Sequence, residues 1–174
     1  MRRVLLLFAA GVMAQPPAEV PDRFYFDEGK IRVLILTGRN NHDWRATTPV
    51  LRSALEATGR FDVRVTEEPA GLDEKTLRPY DVLVANYCGP RWGAAAEAAV
   101  AGFVREGKGL VVVHAASYPF GDAEVLGEKM TRTGVNQAPW AEWGEMAGAV
   151  WSEKEPRTGH GRRHVFRVEW TDGA

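Results

Sequence analysis

One cysteine, Cys88, is the whole thiol inventory, so no intrachain disulfide can form. An excess of one charge sign is also missing. The chain has 22 Lys and Arg against 23 Asp and Glu, a formal net charge of −1. That balance supplies no electrostatic footprint for nucleic acid, and none is expected as a partner. No internal repeat and no long charge run interrupts the sequence. The longest apolar run, near the start, is too short to anchor the chain across a bilayer. What remains is a 174-residue chain, 45% hydrophobic and 26% charged, enough for one folded domain with its own core.

The opening, MRRVLLLFAAGVMAQPP, sets Arg2 and Arg3 before an apolar run from Val4 and reaches small residues at Val12 and Ala14. This is the layout of a secretory signal cut after Ala14. The expectation is an exported protein, periplasmic or secreted, with no membrane span once residues 1–14 are removed. The alternative is a cytosolic first strand. Residues 15–29 read as a Pro-rich lead-in, and residues 30–174 as the domain.

From there strand-like and helix-like segments alternate. Ile31 to Leu36 is apolar except for Arg32, as in a strand buried on both faces. Thr48-Pro49 offers a helix cap followed by proline at the first helical position. Leu51, Ala54, Leu55 and Thr58 then share one helical face, and Gly59 stops it. Phe61, Val63 and Val65 alternate with polar residues, and Tyr80 to Asn86 is a third strand. Ala96, Ala99, Val100, Phe103 and Val104 make a second amphipathic helix ending near Gly107, and GLVVV is a fourth strand running into His114. Residues 119–163 are irregular apart from weak helical character around AEWGEMAGAV. HVFRVEW resumes strand-like alternation, with Trp170 read as core. The alternation, with short connections, predicts an α/β layer fold with a mostly parallel central sheet; if its strand order is flavodoxin-like, it is a three-layer sandwich.

In such sheets ligands lie beyond the carboxyl ends of the strands. A flavodoxin-like order brings three exits together there: TGRNNHDW, NYCGPRW and HAASYPF. His42 and His114 are the candidate bases or metal ligands at this rim. Asn86 and Tyr87 suit sugar hydroxyls, and Trp44, Trp140 and Trp143 are candidate stacking walls. Against these stand structural readings: a polar turn in which Asp43 bonds its own neighbours, a strand-end turn, and ordinary core tryptophans. Ser117 is a candidate substrate contact, or a nucleophile with His114 or His42 as base, although no Gly-x-Ser-x-Gly turn surrounds it. Cys88 reads as a buried, inert thiol. His42, His114 and His160 could hold a divalent ion such as zinc with an open position, but their spacing is no established zinc signature. His164 reads as a local hydrogen-bonder, and GRRH as solvated surface.

ILTGRNNHDWRATTPVLRSALEATGRFDV, YDVLVANYCGPRW, FVREGKGLVVVHAAS and GHGRRHVFRV together resemble the trehalose-utilisation, ThuA-like, family of the class I glutamine amidotransferase-like superfamily. The resemblance runs from Lys30 to Val168. It implies a flavodoxin-like sandwich and a role in carbohydrate metabolism. It also exposes two departures. Where amidotransferases of the superfamily carry a nucleophilic Cys, this chain has HAAS. A further block rich in His and Asp, usual in the family, is absent, so an incomplete site or a truncated member is expected. Apolar surface left uncovered would favour association into a homo-oligomer. The expected function is binding of, or action on, trehalose or a related sugar derivative, by hydrolysis or isomerisation. The alternatives are a non-catalytic accessory module and an amidotransferase-like hydrolase using Ser117.

Overall fold

The computed structural model describes residues 26–118, 120, 123–126, 129–132, 140–152, 157–167 and 169. The expected signal, residues 15–25 of the lead-in, and Trp170 lie outside the described residues. Strand β1 (Ile31–Leu36) leads to helix α1 (Trp44–Glu56) and strand β2 (Phe61–Thr66). A short turn of helix, α2 (Glu74–Leu77), precedes β3 (Val82–Ala85), α3 (Ala94–Arg105) and β4 (Gly109–Val112). The sheet order is β2-β1-β3-β4. Every pairing is parallel: Val33 of β1 lies beside Val63 on one flank and Val82 on the other, and Val82 lies beside Gly109. A separate antiparallel hairpin, β5 (Ala123–Leu126) and β6 (Lys129–Arg132), precedes helix α4 (Ala141–Ala147).

Period-two alternation in β1 builds two cores. Leu34 and Leu36 point to one face, where Leu83 and Ala85 join them under Leu77, Val100, Phe103 and Trp143. Val33 and Ile35 point to the other, with Val63 and Val84, under Leu51 and Leu55 of α1. Each fully buried Val, Leu or Ile contributes about 1.5–3 kcal/mol relative to exposure. The sheet therefore needs helices on both sides, which is why β1 is apolar at consecutive positions. This is the α/β fold with a parallel sheet expected from the alternation, and it is consistent with the flavodoxin-like sandwich that the resemblance implies.

The elements depart from expectation in three places. Helix α1 starts at Trp44, not after Thr48, because the Asp43 carboxylate caps it by accepting the Ala46 N–H at 3.0 Å. Pro49 then sits inside the helix, on its exposed side, where it forgoes one intrahelical bond. Residues 164–167 are not in a strand; Val165 is 100% exposed and Phe166 73%. Alternation alone cannot make a strand without a neighbour to pair with. The end of the lead-in also packs on the domain. Phe26 meets Tyr80 edge-on with centroids 5.4 Å apart, and the Asp27 N–H donates to Asp62 at 2.7 Å.

Candidate functional site

Close backbone contacts bind the rim turns together. The backbone N–H of Cys88, after β3, donates to the Arg39 carbonyl, after β1, at 2.9 Å. Gly89 makes this approach possible, since a Cβ there would lie 2.5 Å from the Arg39 Cβ. Gly38 does the same toward β2: its φ is +105°, and a Cβ would stand 2.0 Å from the Glu67 carbonyl oxygen.

On this rim His42, from the β1–α1 turn, meets His114, from the end of β4. Their Nε2 atoms are 3.0 Å apart, with ring centroids at 4.7 Å and planes tilted by 45°. At that distance one Nε2–H donates and the other Nε2 accepts, so the contact needs unlike protonation at the two facing nitrogens. Burial pushes His42 below its ordinary value, and the nearby His114 and His160 push it the same way. His114 has a left-handed backbone, φ 44°. Few non-glycine residues adopt this region, and it costs about 1–2 kcal/mol. The turn His114–Ser117 that imposes it is fixed in two ways. The Ser117 hydroxyl donates to the His114 carbonyl at 2.8 Å, and the Trp143 indole N–H donates to the Ala116 carbonyl at 3.0 Å.

Beneath His42 lies a buried polar layer. Asn86 donates through Nδ2 to the hydroxyls of Thr47 and Thr48, both at 3.1 Å, and accepts from Asn40 Nδ2 at 3.4 Å. The Thr48 hydroxyl also meets that of Thr37 at 3.0 Å. The polar atoms of Asn40 and Asn86 thus serve one another and the α1 turn.

The model of the ThuA family, described as trehalose utilisation, matches residues 32–169. The chain belongs to the ThuA family. Its backbone is similar to two solved ThuA-like proteins. One, from Parabacteroides merdae, is 35% identical, with a TM-score of 0.47, over 52% of this chain and 34% of that one. The other, from Bacteroides uniformis, is 18% identical, with a TM-score of 0.45, over 59% of this chain and 41% of that one. The matched region therefore spans well under half the length of either ThuA-like structure. No curated protein matches the chain.

Within this ThuA domain the structure joins His42 and His114, and it redistributes the other candidates. Trp143 is a core residue, 1% exposed, rather than a ligand wall. Helix α4 turns it inward against Trp92 and Trp140 at centroid distances of 5.5 Å each. Trp44 is also buried, with the Arg45 guanidinium 4.2 Å over its ring. The Tyr87 hydroxyl donates to the Pro90 carbonyl at 2.7 Å, and burial pushes its pKa up to about 12. Asn86 and Tyr87 therefore support the rim from below instead of offering free groups to a sugar. Ser117 is committed to the His114 carbonyl. The three-histidine metal set is not assembled: among the described residues no group of three or more His, Cys, Asp or Glu could hold an ion. His160 stands against Trp151, centroids 5.0 Å apart, with its ring 6.4 Å from that of His114. Cys88 is buried with its thiol donating to the Tyr118 carbonyl at 2.8 Å, and His164 bonds locally to the Arg162 carbonyl at 2.8 Å. A cavity of about 600 Å³ between α2 and α3 shares no lining residue with the rim. Asn40 and Trp151 were not legible as site residues in the sequence; the one signal was the Asn-Asn pair immediately before His42.

Proposed function

We propose that this ThuA domain binds a small carbohydrate, trehalose or a related sugar derivative, at the rim where His42 and His114 meet. The observation that carries the reading is the 3.0 Å Nε2–Nε2 contact between residues 72 positions apart. His42, favoured as the neutral imidazole, accepts a proton from the attacking water in hydrolysis or from a sugar hydroxyl in isomerisation; His114 gives its Nε2 proton to the departing or rearranging oxygen, and the proton gained by His42 passes back to His114 across their 3.0 Å contact. Such a pair serves hydrolysis or isomerisation alike. The alternative is a non-catalytic sugar-binding module, favoured by the internal commitment of Asn86 and Tyr87, which leaves few polar groups to fix a reacting sugar. An amidotransferase-like hydrolase is disfavoured by the engaged Ser117 hydroxyl.

Calorimetric titration with trehalose and related sugar derivatives, combined with NMR analysis of products, tests this. Binding lost in His42→Gln and His114→Asn supports the reading, and product formation selects the enzyme over the module. Wild-type affinity in both variants would refute it. We also propose export through residues 1–14. Mass spectrometry of protein recovered from the host envelope should show a chain starting at Gln15, and an intact Met1 there would contradict export. Self-association through exposed Val111, Val165 and Phe166 is proposed as well. Sedimentation should show concentration-dependent dimers or larger species, and a monomer at all concentrations would exclude them.

A further inference from the structure

We propose that Asn40 is the positioning residue that sets His42 against His114. The inference deepens the functional reading above, since it takes the imidazole pair as the working centre. Asn40 is 2% exposed, although it lies in a turn between two exposed regions of the rim. Its two polar atoms do different work. Oδ1 accepts the backbone N–H of His42 at 3.0 Å, and Nδ2 donates to Asn86 Oδ1 at 3.4 Å. Asn86 is fixed in turn by the hydroxyls of Thr47 and Thr48.

The Asn40 side chain thus ties the His42 backbone to the end of β3, the strand between β1 and β4. His114 leaves β4 with its backbone in the left-handed region, in a turn held by the Ser117 and Trp143 hydrogen bonds, so its Cα has a fixed place on the rim. The partner must therefore be brought to it, and Asn40 fixes where the His42 backbone stands. The role needs an acceptor and a donor on one short, buried side chain. Asn supplies both; Leu, of similar size, supplies neither. Ser in the same turn has a single oxygen for both roles, and ionised Asp only accepts, so neither spans from the His42 N–H to Asn86 as the amide does.

The test compares Asn40→Leu with Thr37→Val in the full chain. Thr37→Val removes a buried hydroxyl contact from the same polar layer without touching His42. Both variants should lower the thermal midpoint. The discriminating readout is the imidazole ¹⁵N spectrum at low temperature. Wild type and Thr37→Val should show one protonated and one unprotonated Nε2 in the His42–His114 pair, with an imidazole N–H shielded from solvent exchange. Asn40→Leu should lose that shielded signal and give two rings exchanging freely with water. An unchanged imidazole spectrum in folded Asn40→Leu would overturn the proposal. Should Asn40→Leu fail to fold, exchange at the wild-type His42 backbone amide decides. Protection of at least tenfold over its exposed neighbour Asp43 is expected, and equal exchange would overturn the proposal. Sugar titration of the wild-type protein is scored separately. Its failure would remove the functional reading while leaving the positioning result intact.

Discussion

Replacing His114 by glycine should separate the residue's conformational strain from its chemistry. At φ 44° an L side chain sits in the left-handed region, which costs about 1–2 kcal/mol. Glycine carries no such penalty, but it adds back about 0.4–1 kcal/mol of chain entropy in the unfolded state. The right comparison is with His114→Ala, which loses the same contact with His42 and keeps the strain. His114→Gly should then be more stable than His114→Ala by about 0.5–1 kcal/mol. For a domain of this size that is a rise of about 1–4 °C in thermal midpoint. His114→Asn should lie between them or above, since Asn enters the left-handed region more readily than most residues. Urea denaturation, analysed by linear extrapolation, measures the difference directly. All three variants should lose sugar binding. A His114→Gly protein less stable than His114→Ala would refute the claim that the β4 exit holds its histidine under strain.

Trp143→Ala should destabilise the fold by about 3–5 kcal/mol, because a fully buried indole leaves a cavity and the Ala116 carbonyl loses its donor; a loss below about 1 kcal/mol would place the ring outside the core. Because the folded pKa of His42 lies below its ordinary value of 6.5, the unfolded chain takes up that proton first as pH falls. His42 therefore contributes stability that is present above pH 6.5 and lost as pH falls toward the folded pKa. Unfolding free energies measured across this window should show the slope in wild type and a weaker one in His42→Gln, and equal slopes would contradict the assignment. Gly38→Ala should be among the most damaging single-methyl additions, since the new Cβ would collide with the Glu67 carbonyl at 2.0 Å; retention of the wild-type midpoint would contradict this packing.

The layers of the fold were legible because their signals are local. Consecutive apolar residues in β1 demand cover on both faces, and the alternation of strand and helix patterns sets a parallel order. That order alone brought His42 and His114 to one rim. The roles of the surrounding residues were not legible, because they depend on partners distant in sequence. Nothing near Asn86 shows that its amide is spent on Thr47, Thr48 and Asn40, or that the Tyr87 hydroxyl closes on Pro90. Trp143 sits in a seven-residue helix, too short for periodicity to separate an inward face from an outward one. The α1 start was misplaced because Thr48-Pro49 has the local form of a cap, while the Thr48 hydroxyl is drawn inward to Thr37 and Asn86. Residues 164–167 show the converse limit: the alternation is present and no paired strand results.

We place sugar binding by this ThuA domain at the His42–His114 pair. Imidazole ¹⁵N and ¹³C resonances, followed while trehalose and related sugar derivatives are added to the full chain, decide whether this placement holds. The His42 and His114 signals should shift together and saturably while His164, bonded to its own loop, stays fixed. A sugar that binds without moving either rim histidine, or the whole panel failing to bind at millimolar concentration, would contradict it.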